Sequence, residues 1–105
     1  MAKHVIVSGT ELKMNIHIDP FDDFHMKDYD FECKFYIFPK KVVTVKKEDM
    51  VPIDDDDYLA LVDTTTLGIG PLHLTVTAFI PDKHFTDKIR REIKCVDPQV
   101  EIINC

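Results

Sequence analysis

Four consecutive aspartates, Asp54 to Asp57 in VPIDDDDYLALVD, are the densest group of chemistry-bearing side chains in this 105-residue chain. Carboxylates in such number suit three tasks: ligating calcium, moving protons, or solvating a turn. Calcium needs several oxygens converging on one point, and Asp49, or Asp22 with Asp23, would have to supply the remainder. The EF-hand order is absent, with no glycine at the sixth loop position and no glutamate closing the loop. Successive side chains of an extended chain point to opposite faces, so only a tight turn would gather these carboxylates. Acid–base catalysis needs a pocket that drives two carboxyl pKa values apart, and nothing in the pattern marks one. Aspartate is also a preferred turn residue. The expectation is a solvated turn that ends one extended segment, with Tyr58 beginning the next by returning to the core.

The remaining reactive residues are dispersed. His4, His17, His25, His73 and His84 stand in separate segments, with no HExxH and no close pair. His17 and His73 fall on the polar sides of two strand-like segments and would share a metal only if those strands paired in register. Ser8 is the sole serine and lies in no GxSxG elbow. The GIG at 68–70 lacks the third glycine of a dinucleotide fingerprint. Cys33, Cys95 and Cys105 form no CxxC pair and leave one over, against a zinc knuckle or a disulfide framework. In a sandwich, Cys33 and Cys95 on neighbouring strands would bridge only in an oxidising compartment. No catalytic, cofactor-binding or metal-ligating residue is assigned, and a protein that is not an enzyme is expected.

The elements that would position these residues read as strands. ELKMNIHI sets Leu12, Met14, Ile16 and Ile18 against Glu11, Lys13, Asn15 and His17, the period-two pattern of a half-buried strand. The loop IDPFDDFHMKDYD follows, with Phe21 and Phe24 expected to tuck beneath it. YDFECKFYIF puts Phe31, Cys33, Phe35 and Ile37 on one face, and PLHLTVTAFI does the same with Leu72, Leu74, Val76, Ala78 and Ile80. KVVTVKK suits an edge strand, and Pro52 confines EDMVPI to an edge. YLALV is a compact strand, after which Asp63 or Thr64 is placed to cap free amides. In KIRREIKCV, Ile89, Arg91, Ile93 and Cys95 share a face, and VEIINC adds a short strand or a tail. No stretch of ten or more residues keeps a helical period. Residues 1–105 are therefore expected to form one all-β domain, an immunoglobulin-like β-sandwich of about seven short antiparallel strands.

Composition narrows the partners. A formal charge of -6 and scattered basic pairs such as Lys40-Lys41, Lys46-Lys47 and Arg90-Arg91 disfavour a nucleic-acid surface. Neither a signal peptide nor a membrane span is legible, so synthesis and folding in the cytoplasm are expected. Tyr36, Phe38 and Phe79 stand opposite the core-facing residues of their strands. Outward aromatics of this kind mark protein interfaces, and these three are the expected partner-binding residues.

A broader pattern spans nearly the whole chain. The acidic run, Tyr58-x-Ala60-x-Val62-Asp63-Thr64, Leu67-Gly68-x-Gly70-x-Leu72, Pro81-Asp82, Phe85-x-Asp87 and Arg90-x-Glu92-Ile93 follow one another in order, after VSGTELKMNIHIDP, YDF and KKEDM. This order resembles small structural proteins encoded by tailed phages of the Bacteroidales, including the crAss-like phages. The resemblance implies an immunoglobulin-like virion component, oligomeric in the particle, that binds other capsid or tail subunits without catalysis. It leaves open a head role, decorating the capsid or forming a head fibre, and a tail or baseplate role. It transfers no ligand residues. The alternative from the residues themselves is a calcium-dependent ligand- or carbohydrate-binding sandwich, against which the absence of Trp counts.

Overall fold

Alternation in two segments builds the centre of the molecule. Phe31, Cys33 and Phe35 are fully buried and Ile37 nearly so, while Leu72 to Ile80 bury every second residue. These lie on β3 (Asp30–Ile37) and β8 (His73–Pro81), which pair antiparallel with Cys33 opposite Val76 and Phe35 opposite Leu74. The computed structural model describes residues 4–21, 23–37 and 41–104, and of Lys41 only the backbone.

Two strands flank this pair. β4 (Lys41–Lys46) joins β3, and β9 (Ile89–Val96) joins β8, giving a four-stranded sheet in the order β4-β3-β8-β9. The opposing sheet has the order β2-β6-β5, from β2 (Glu11–His17), β5 (Val51–Asp54) and β6 (Asp57–Asp63). Relabelled in chain order, these are the B-E-D and C′-C-F-G sheets of an immunoglobulin-like sandwich. Leu12, Ile16, Tyr58, Ala60 and Val62 of the smaller sheet join the β3 and β8 side chains in one hydrophobic cluster. Burying a side chain the size of Phe31 or Ile80 stabilises the fold by roughly 2–3 kcal/mol.

Three short strands complete the chain. β1 (His4–Val7), β7 (Gly70–Pro71) and β10 (Val100–Ile103) form a third sheet in which β1 runs parallel to β10. The expected set of antiparallel strands thus gains one parallel pair. Gly70 admits this packing because φ is +139° and an added Cβ would lie 3.1 Å from Ile37 Cγ2.

The junctions are held by few, well-placed polar groups. Thr64 is fully buried; its hydroxyl donates to the Thr10 carbonyl at 2.6 Å and accepts from the Gly9 amide at 3.0 Å. Asp63 caps the turn at Thr64–Thr66 by accepting from the Thr65 amide at 2.9 Å, as the sequence suggests. On the other side, the half-buried Lys47 donates to the carbonyls of Lys27 (3.0 Å) and Tyr29 (2.8 Å). Its ammonium also lies 5.8 Å from the Phe31 ring centre and 5.9 Å from that of Tyr58, one ring from each main sheet.

β9 departs from expectation. Register with β8 puts Arg90, Glu92, Lys94 and Val96 beside Ile80, Ala78, Val76 and Leu74, on the core side, and turns Ile89, Arg91, Ile93 and Cys95 outward. The opposing sheet has only three strands, so β9 overhangs it and its core-side residues meet a groove. Charges are tolerated there because Glu92 and Lys94 reach water and the partly buried Arg90 pairs with Asp82 and Glu92.

Candidate functional site

The aspartate run closes the β5–β6 hairpin. Asp54 pairs with Asp57 across Asp55 and Asp56. Neither of these two has a positive φ, so the turn is not of the primed type that matches strand twist, and a bulge between Pro52 and Asp54 absorbs the mismatch. Tyr58 then enters the core at 6% exposure. The position of the turn and the role of Tyr58 agree with the sequence reading.

The expectation of a merely solvated turn does not hold. Asp56 and Asp57 are half-buried and fastened to two other segments. Asp56 pairs with His25 Nδ1 at 2.9 Å and accepts from the Met26 amide at 3.3 Å. Asp57 accepts from the Asn15 amide nitrogen at 3.0 Å and meets His17 Nδ1 at 3.1 Å. His17 Nε2 lies 3.0 Å from Asp19. Ionised carboxylates only accept, so both nitrogens of His17 donate when its ring is protonated. Backbone bonds run alongside, from the Ile18 amide to the Asp56 carbonyl and from the Lys27 amide to the Asp55 carbonyl.

The electrostatics follow the contacts. His17 is raised above its ordinary value, first by Asp19 and then by Asp57, and His25 is raised by Asp56. Asp56 is held below the usual carboxylate range by His25, and Asp57 by Asn15, then by its neighbours Asp54 and His17. A general acid needs the opposite displacement, a carboxyl pushed upward. This arrangement clamps a turn, and neither Asp56 nor Asp57 is displaced toward a general-acid carboxyl. Among the described residues, no three His, Cys, Asp or Glu side chains are grouped to hold a metal ion.

The other candidates are separated. His17 and His73 do not meet, because β2 and β8 belong to different sheets; His73 instead stacks on Tyr36, with ring centres 5.3 Å apart. Cys33 and Cys95 are not neighbours either, since β8 lies between their strands and they point to opposite faces. Burial, then Glu32, pushes the Cys33 thiol up to about 12, while Cys95 is exposed.

Of the expected interface aromatics, Tyr36 and Phe79 share the outer face of the four-stranded sheet. Phe79 stands opposite Asp30, six positions along β3 from Tyr36, about 20 Å away at the rise of a strand. Lys34, Glu32, Thr75 and Thr77 lie between them. Arg91 covers the Phe79 ring at 5.8 Å, and Phe38 lies outside the described residues. Phe21 and Phe24 pack against the core, as expected of that loop, and not over the outer face.

Apolar exposure is instead found along strand edges. Val42 on β4, Val51 and Ile53 on β5, and Ile93 on β9 are all exposed, and each of these strands ends its sheet. Between the end of β2 and the overhanging β9 runs a groove of about 640 Å³, lined by Ile18, Phe21, Val76, Ala78, Glu92 and Lys94 among others. Sequence periodicity finds the aspartate turn and the edges. It misses His17, His25 and Asn15 as partners of the turn, because those contacts span 31 to 42 residues.

No protein-family model, curated protein or solved structure matches this chain. No helix among the described residues is long and apolar enough to cross a membrane.

Proposed function

We propose that the chain is a non-enzymatic structural component of a tailed-phage virion, an immunoglobulin-like domain that binds other virion proteins. It serves as a head accessory, decorating the capsid or forming part of a head fibre, or as a tail or baseplate accessory. The observation that carries this reading is the set of open sheet edges bearing exposed Val42, Val51, Ile53 and Ile93. An unpaired edge offers backbone donors and acceptors to a neighbour's strand, while the adjacent apolar side chains give area. Repetition in a symmetric particle multiplies such contacts. The resemblance of nearly the whole chain to phage structural proteins supplies the setting, and Tyr36, Phe38 and Phe79 remain candidates for secondary contacts.

The test is the protein composition of particles purified from infected Bacteroidales cells. The chain is expected there at a stoichiometry set by particle symmetry, and incorporation is expected to fall when Val42 or Ile53 is replaced by Asp. Its absence from particles, with the protein present in infected cells, would refute the reading. A melting temperature that rises with calcium and falls with chelator would favour the ligand-binding module instead.

A further inference from the structure

We infer that β9 is a homodimer edge: two copies pair antiparallel about a two-fold axis at Ile93, joining their four-stranded sheets into one continuous sheet. β9 is an eight-residue strand whose outer edge has no partner among the described residues, and Ile93 is 65% exposed, the highest among the exposed large hydrophobics.

The charges select the partner and the register. In an antiparallel pair, directly opposed residues share a face, so a two-fold axis perpendicular to the sheet must pass through a residue. With the axis at Ile93, Ile93 opposes its copy, Glu92 opposes Lys94 in both directions, Arg91 opposes Cys95 and Arg90 opposes Val96. An axis at Glu92 sets Glu92 against itself and Arg90 against Lys94. Axes at Arg90, Arg91 or Lys94 set that residue against its own copy, and axes at Ile89, Cys95 or Val96 create no opposite pair within the strand. Only the Ile93 axis opposes unlike charges while opposing no like ones.

The other edges differ: β2 would oppose Glu11 to Lys13 about Leu12, but Leu12 is only 5% exposed and faces the core, so that axis carries no exposed apolar residue. The charged residues of β4 are all lysines, and β5 carries a proline and a carboxylate. In the single chain Glu92 lies 3.1 Å from Arg90 Nε, whereas Lys94 makes no ion pair among the described residues; the dimer supplies it a carboxylate. Core-side charges on an edge strand ordinarily discourage pairing. Here they disfavour the two-fold registers centred on Arg90, Arg91, Glu92 and Lys94 and favour the one centred on Ile93, in which they become cross-strand pairs. The inference stands apart from the virion reading, because such a dimer forms in purified protein with no other partner.

Sedimentation equilibrium of the purified chain tests it. Wild type should move from 12.2 kDa toward twice that mass with rising concentration. Glu92→Lys and Lys94→Glu should each weaken association about tenfold or more, since both cross-strand pairs turn repulsive. The double exchange Glu92→Lys with Lys94→Glu should restore it. Ile93→Cys in a Cys95→Ser, Cys105→Ser background alters no charge and should oxidise to a covalent dimer that the doubly substituted parent does not form. Wild type that stays monomeric at several hundred micromolar, charge variants that associate like wild type, or a double exchange that remains as weak as the singles would each overturn the proposal.

Discussion

Replacing Thr64 by Val is a sharp test of how the β1–β2 turn is held. The two side chains have nearly the same shape, so packing is retained while both hydrogen bonds are lost. The hydroxyl serves two backbone groups at once, donating to the Thr10 carbonyl and accepting from the Gly9 amide, and the side chain is fully buried. Leaving a buried polar group unpaired costs about 1–3 kcal/mol. Gly9 and Thr10 are themselves exposed residues, so water recovers part of this, and the added methyl returns up to about 0.8 kcal/mol. The net loss should be about 2 kcal/mol, a fall of roughly 10 °C in Tm for a domain of this size. Thr64→Ser keeps the hydroxyl, deletes one methyl and should cost about 1 kcal/mol. Calorimetric melts of both variants separate the effects, with exchange of the Gly9 amide as the local readout. A Thr64→Val protein melting at or above Thr64→Ser would refute the reasoning.

Three further outcomes follow from the contacts. The histidines at the aspartate turn have raised folded pKa values, so their contribution is full below the ordinary 6.5 and is lost as pH rises through the folded values. Asp56 and Asp57 are depressed, so theirs is full above the ordinary 3.8 and is lost as pH falls through the folded values. The chain should therefore melt higher at pH 5.5 than at pH 8.5 on this account, and the difference should shrink in the double variant His17→Gln with His25→Gln; an unchanged difference would place the pH dependence elsewhere. Lys47→Met keeps the aliphatic stem but strands the Tyr29 carbonyl, and should lower stability by about 2 kcal/mol, whereas Lys46→Met on the exposed side should change it by less than about 0.5 kcal/mol; equal melts would refute the role given to Lys47. Cys95 should react with a maleimide at once and Cys33 only at the rate of unfolding, which mass spectrometry of the labelled peptides resolves.

The sequence is most informative where both sheets enclose a strand. β3 and β8 show their burial in alternation because each has neighbours on both sides and an opposing sheet across the core. β9 has the same alternation with the opposite meaning: its isoleucines face outward because no fourth strand lies across from it. β1 escapes the pattern and β10 is legible only as a short strand or a tail, since each is four residues long and the two pair in parallel across almost the whole chain. The aspartate turn is legible from composition. Its histidine partners are not, since register across separate segments decides which carboxylate meets which ring.

The parallel pairing of β1 with β10 also has a mechanical consequence. His4 lies beside Val100 and Val7 beside Ile103, so the entrance of the first strand and the exit of the last sit at opposite ends of one ladder. Tension applied through those two points slides one strand along the other and loads the hydrogen bonds of the ladder together, where an antiparallel pair pulled from one end would unzip bond by bond. Resistance to such a pull is set by the rate of unfolding and not by equilibrium stability. A subunit threaded between neighbours by its two ends would then act as a tether that holds under brief load.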